Sequence, residues 1–189
     1  GLKRCEEIIA GLRQFSRKDV EGKKEEDVHQ GLDSTISLLP EDHEKKVVIH
    51  RDYRFQGKVQ CSLGQLNQVF MNLLTNALQA IDGKGEIWVR TEQEGEHILI
   101  TMEDTGQGIP PEVLSRVFEP FYTTKDVGQG TGLGLSISHK VIEDHGGRIE
   151  VESTLGKGTQ FSIRLPTKEI READPEGRVD PGFRSAASS

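Results

Sequence analysis

At 189 residues, with a net charge of −7, a pI near 5.4 and 33% hydrophobic residues, the chain has room for one domain with a two-layer core and short appendages. The acidic balance, and the lack of a basic stripe with interleaved aromatics, exclude nucleic acid as a main partner. The apolar runs fall far short of the ~18 residues a bilayer span needs, and Cys5 and Cys61 lack metal-ligand spacing, so membrane contact, a zinc site and a disulfide scaffold are not expected and a reducing, cytoplasmic location is.

Residues 1–17 set Leu2, Cys5, Ile9 and Leu12 at a 3-4-3 spacing, with Ile8 and Phe15 alongside, which predicts a helix with one apolar face. Residues 18–26, KDVEGKKEE, are charged and interrupted by Gly22, and read as a linker. Val28, Leu32, Ile36 and Leu39 then recur at helical spacing as far as Pro40, and residues 47–53 read as a strand. A short strand over 59–61 leads to Ser62, a candidate helix cap.

The next helical pattern, LGQLNQVFMNLLTNALQAI, divides cleanly. Leu66, Phe70, Leu73, Leu74, Ala77 and Ile81 fall on one side, and Gln65, Gln68, Asn72, Asn76 and Gln79 on the other. One turn apart on that polar stripe, Asn72 and Asn76 can aim their amide oxygens into one site and ligate a hard cation such as magnesium. The plainer alternative is a solvated helix face. DGKG turns the chain into strands over 86–91 and 97–103, with Asp104 at the end of the second and Gly106 and Gly108 just beyond. A carboxylate accepts hydrogen bonds and donates none, so Asp104 suits an exocyclic amine such as N6 of adenine better than a guanine carbonyl; the alternative is an ordinary turn aspartate.

FEPFYTTK follows as a lid candidate, with Phe118, Phe121 and Tyr122 as anchors and Pro110, Pro111 and Pro120 restricting it. In the second glycine cluster, residues 128–135, alternating glycines let backbone N–H groups approach an anion, and the helix that follows adds its N-terminal N–H groups and dipole. Phosphate is the natural guest, against the alternative of a turn-rich flexible loop. A helix over 133–144 ends at HGG, and strands over 148–153 and 160–165 complete a sheet, followed by a loosely held tail over 167–189. The order of elements predicts an α+β fold, a two-layer α/β sandwich with helices on one face of a mixed sheet.

NLLTNA, DTGQGIP, FEPFYTTK and GTGLGLS, in this order and followed by HGGRIEVESTLGKGTQFSIRLP, resemble the nucleotide-binding boxes of two-component sensor histidine kinases, within the superfamily that includes gyrase, the heat-shock chaperone and the mismatch-repair ATPases. No G-x-x-x-x-G-K-[ST] loop competes with that reading. The resemblance covers residues 27–166 and implies a Bergerat-type ATP-binding catalytic domain, with residues 1–17 as the end of a dimerisation-domain helix. It implies that the domain donates the γ-phosphoryl group of Mg-ATP to a histidine on a dimerisation helix, in cis or trans, for relay to a response-regulator aspartate.

Carried over residue by residue, the resemblance makes Asn76 the magnesium ligand and sets Asn72 at the phosphates as a catalytic residue. Asp104 would bind the adenine amine in a pocket shaped by Gly106, Gly108 and Ile109. Tyr122, Thr123, Thr124 and Lys125 belong to the lid, with Lys125 reaching the outer phosphates as a second catalytic residue. Gly130, Thr131, Gly132, Leu133, Gly134 and Leu135 line the triphosphate, and Thr159 supports the base. One departure stands out: many relatives carry a basic residue three positions after the second asparagine, where this chain has Gln79.

No histidine here matches the family's phosphoacceptor pattern. His43-Glu44 is the nearest pair but reads as a turn; His29, His50 and His97 read as surface or strand-edge residues, and His139 and His145 as parts of the helix behind the phosphate loop. Gyrase-like ATPases place a glutamate at position 72, able to act as general base on water, whereas an amide has no usable basicity. Asn72 therefore favours phosphoryl transfer over a hydrolytic conformational machine. A degenerate nucleotide-binding scaffold and an anti-sigma-type serine kinase remain as alternatives.

Overall fold

A computed structural model describes residues 22–40, 45–123 and 132–167. The expected N-terminal helix, the His43-Glu44 turn and all but the first residue of the C-terminal tail lie outside them. The described elements run β1 (Lys24–Glu26), α1 (Val28–Ser37), β2 (Lys46–Tyr53), β3 (Val59–Cys61), α2 (Leu63–Ala80), β4 (Lys84–Glu94), β5 (His97–Asp104), α3 (Pro111–Leu114), α4 (Gly134–Asp144), β6 (Arg148–Thr154) and β7 (Gly158–Pro166). No described helix is long and apolar enough to cross a membrane.

Five strands form a mixed sheet in the order β2-β4-β5-β7-β6, in which β2 and β4 are parallel and the other pairs antiparallel. Alternation along the strands decides which face is covered. On β5, Ile98, Ile100, Met102 and Asp104 are buried and the residues between them are not. Thr159, Phe161, Ile163 and Leu165 of β7 join them, and Ile87 and Val89 of β4. Helices α1, α2 and α4 close that face, and all six residues of the apolar side of α2, Leu66 to Ile81, are buried in the same cluster. This is the α+β sandwich the element order predicts.

In the strands and the helices that cover them, three local details differ from the sequence reading. Lys24–Glu26, expected in a linker, forms a strand antiparallel to β3, with Lys24 opposite Cys61 and Glu26 opposite Val59. The three residues are charged and carry no hydrophobic alternation, so only the pairing partner defines the strand. Ser62 occupies the N-cap of α2 but makes no side-chain capping bond; its N–H instead donates to His145 Nε2 at 3.0 Å. His29 is not a plain surface residue: its ring stacks on Tyr53 at 4.4 Å, and its Nε2 lies 2.8 Å from Thr91 Oγ1. Asp27, by contrast, caps α1 by accepting from the His29 N–H.

Candidate nucleotide-binding site

The end of β5 fixes the first functional group. Asp104 is the last residue of the covered face, paired with Thr159 on one side and Ile87 on the other, and it is 6% exposed. Its Oδ1 accepts the Gly106 N–H at 2.7 Å. Burial pushes its carboxyl above the ordinary aspartate value, and the neighbouring Glu103 adds to this, against the N–H groups of Gly106 and Thr159, which favour the ionised form. The result is a carboxylate held rigid in an apolar setting. Thr159 is buried with its hydroxyl 2.9 Å from that of Ser153, which in turn bonds the Ile109 N–H at 2.8 Å.

The polar stripe of α2 supplies a second wall. Asn72, Thr75, Asn76 and Gln79, at helical spacing on one side, all face a cleft of about 1030 Å³ whose far side is formed by Asp104, Gly108, Ile109 and Thr159. Asn72 Nδ2 donates to Ser138 Oγ of α4 at 3.0 Å, a bond that turns the amide oxygen away from Ser138. The start of α4 presses directly on that amide. A side chain at Gly134 would collide with Asn72, whose Cγ lies 2.9 Å from the Cβ position. The tight contact keeps the helix N-terminus against the asparagine.

The third wall comes from the lid region. Val117 is buried, Phe118 packs on the core and lies 5.2 Å from the His139 ring, and Tyr122 lines the cleft with the Arg116 guanidinium 4.2 Å over its ring. Phe121, by contrast, is 70% exposed. Its N–H donates to Gly132 O at 2.9 Å, and Gly132, at φ +68°, stands where a Cβ would be 2.5 Å from the Phe121 carbonyl carbon. This clasp joins Phe121 to Gly132. Within the lid region, residues 111–114 form a helical turn that the sequence reading did not anticipate; it is opened by Pro110 and Pro111, where proline suits the start of a helix.

Of the residues singled out in the sequence, Asn72, Asn76, Asp104, Gly108, Ile109, Tyr122, Thr123, Gly132, Gly134, Leu135 and Thr159 line one cleft. Gly106 stands behind it as the donor to Asp104, and Leu133 at the cap of α4. Thr124, Lys125, Gly130 and Thr131 fall outside the described residues. Sequence reasoning missed Lys45, Thr75 and Val117 as cleft residues, and Ser138 as the partner of Asn72. Ser138 lies four residues after Gly134 on the same helix face, a spacing that offered a signal; Lys45 had none.

Residues 62–169 match the family described as histidine kinase-, DNA gyrase B- and HSP90-like ATPase. The chain belongs to this family. It is similar to the catalytic domain of the histidine kinase ThkA, at 30% identity and a TM-score of 0.70 over 78% of this chain and 97% of that one. It is also similar to sporulation kinase E of Bacillus subtilis (strain 168), 39% identical over 174 residues, which are 90% of this chain and 23% of the kinase. The structure of ThkA in complex with the response regulator protein TrrA matches 94% of this chain and 49% of that one, at 27% identity and a TM-score of 0.72. The chain thus spans less than a third of the length of the curated kinase and nearly all of the solved ThkA catalytic domain. It is the ATP-binding catalytic domain of a histidine kinase.

Proposed function

We propose that this histidine kinase domain donates the γ-phosphoryl group of ATP to an imidazole nitrogen on a dimerisation helix, which then passes it to a response-regulator aspartate. The observation that carries this reading is the amide of Asn72, pressed against the start of α4, at the position where the resemblance to gyrase-like ATPases would put a glutamate general base. Without a base for water, an incoming imidazole, nucleophilic on its own lone pair, is the acceptor the site favours. The ThkA complex with a response regulator supports a receiver domain as the downstream partner. Residues 1–17 read as the end of the dimerisation helix, and residues 167–189 as a tail or linker. Access to ATP sets the domain in the cytoplasm.

In this reading Asp104 accepts from the adenine amine, with Thr159 and Ser153 holding the pocket behind it. The backbone N–H groups at the start of α4 and Lys125 hold the phosphates. Asn76 fits magnesium as a single oxygen ligand. Among the described residues no cluster of three acidic, histidine or cysteine side chains forms a metal cage, as suits an ion held mostly by phosphate oxygens and water. When bound, magnesium shields the phosphate charge; this chain's part is to hold the nucleotide still and exclude a competing base.

The test is incubation of the chain with γ-labelled ATP and a purified dimerisation domain that carries the acceptor histidine. The reading expects label on that domain, labile to acid and stable to base, and its loss with Asn76→Ala. Steady phosphate release without a labelled protein would overturn it in favour of a hydrolase.

A further inference from the structure

The cleft has an uneven charge inventory. Among the described residues that line it, Asp104 is the only anion and Lys45 the only cation. A nucleotide polyphosphate brings several negative charges, and the stripe of α2 beside it is wholly neutral: Asn72, Thr75, Asn76 and Gln79. Position 79, at the outer end of that stripe, carries an amide with no charge to offer.

Lys45 enters from a different element. It immediately precedes β2, whose first residue, Lys46, is fixed by its N–H bond to Gly83 O at 2.7 Å, so the chain is anchored next to the C-terminal end of α2. The Lys45 ammonium reaches across that helix end and donates to the Leu78 carbonyl at 3.1 Å, one residue from Gln79. No described carboxylate forms an ion pair with it. An ammonium has three donors, and one is engaged on Leu78, which leaves two. A cation that is half-buried, tethered to a neutral carbonyl and set at the rim of a cleft is poised for an anionic guest.

We propose that Lys45 is a phosphate-binding residue of this cleft, supplying from the start of β2 the positive charge that α2 lacks at Gln79. The inference rests on the nucleotide-binding reading of the cleft and extends it. The competing account is that Lys45 is only a cap: a lysine at a helix C-terminus satisfies an orphan carbonyl and complements the dipole. The two differ in which ligands feel the loss of the charge.

The experiment is calorimetric titration of the full chain, Lys45→Met and Lys45→Arg with adenosine, ADP and a non-hydrolysable ATP analogue in magnesium. Phosphate contact predicts that Lys45→Met binds adenosine as the parent does but binds ADP and the ATP analogue about tenfold more weakly. Lys45→Arg keeps most of the affinity, and Gln79→Lys in the Lys45→Met background restores it. Equal affinities in parent and Lys45→Met, or an equal loss for adenosine and the ATP analogue, would overturn the proposal and leave Lys45 a helix cap. If the parent chain bound none of the three ligands, the nucleotide reading of the cleft would fall as well, which separates that failure from this one.

Discussion

Glu103 and Asp104 are adjacent carboxylates on one strand with opposite fates. Glu103 lies on the open face of the sheet, where it meets Arg90 at 2.7 Å among other exposed ion pairs, such as Arg164 with Glu94 and Glu150. Asp104, one residue on, is turned by the pleat into the covered face, where burial raises its pKa and backbone N–H groups hold it. The open face also carries the His50–Trp88 stack at 5.2 Å, with Arg90 5.7 Å from the Trp88 ring. Charges that stay wet on one face are mutually screened and cheap. On the other face a single charge is isolated by the core, which is what gives it discriminating power for a hydrogen-bond donor.

If the covered face carries the stability, Phe70→Ala in the middle of α2 should be the most damaging change. Phe70 is fully buried, and its truncation is expected to cost about 3–5 kcal/mol in a denaturant titration. Asp104→Ala should weaken binding of an ATP analogue by about 2–3 kcal/mol, roughly a hundredfold. Asp104→Asn sharpens the contrast. The folded-state pKa is raised, so the ionised group opposes folding above that pKa, and the neutral amide should leave the melting temperature equal or higher while nucleotide affinity falls. For the same reason, affinity in the parent chain should drop as pH falls through the raised Asp104 pKa, at a higher pH than an ordinary aspartate near 3.8 would give.

His145 tests a brace between the two helices of the site. A backbone N–H can only donate, so the bond from Ser62 requires a bare Nε2, and the proton sits on Nδ1, which donates to Val141 O at 2.7 Å. Burial holds the pKa of this neutral ring below the ordinary 6.5. The unfolded chain therefore binds the proton first. His145 contributes its full stability above about pH 6.5 and loses it as pH falls from there towards the lowered folded-state pKa. His145→Ala should cost about 1–3 kcal/mol and flatten that slope in urea titrations across pH. The smallest effect belongs to the open face: Arg164→Ala should cost no more than about 1 kcal/mol, and less at high salt.

The legible parts of the molecule were those in which one element carries its own pattern. The two-sided composition of α2 announced both its buried stripe and its polar one, and Gly106 and Gly108 marked the turn that follows β5. The illegible parts depend on partners distant in sequence. Lys24–Glu26 is a strand only because β3 lies beside it, and His145 is a brace only because Ser62 is 3.0 Å away, across 83 residues of chain. Lys45 joins the cleft through the parallel register of β2 on β4, which no local periodicity encodes.

The central claim is that the cleft between Asp104 and the polar stripe of α2 binds an adenine nucleotide. Calorimetric titration of the chain with a non-hydrolysable ATP analogue and magnesium, alongside the GTP counterpart, tests it directly. The account predicts saturable one-to-one binding of the adenine analogue, much weaker binding of the guanine one, and loss of that preference in Asp104→Ala. Equal binding of the two analogues, or preference intact in Asp104→Ala, would contradict it.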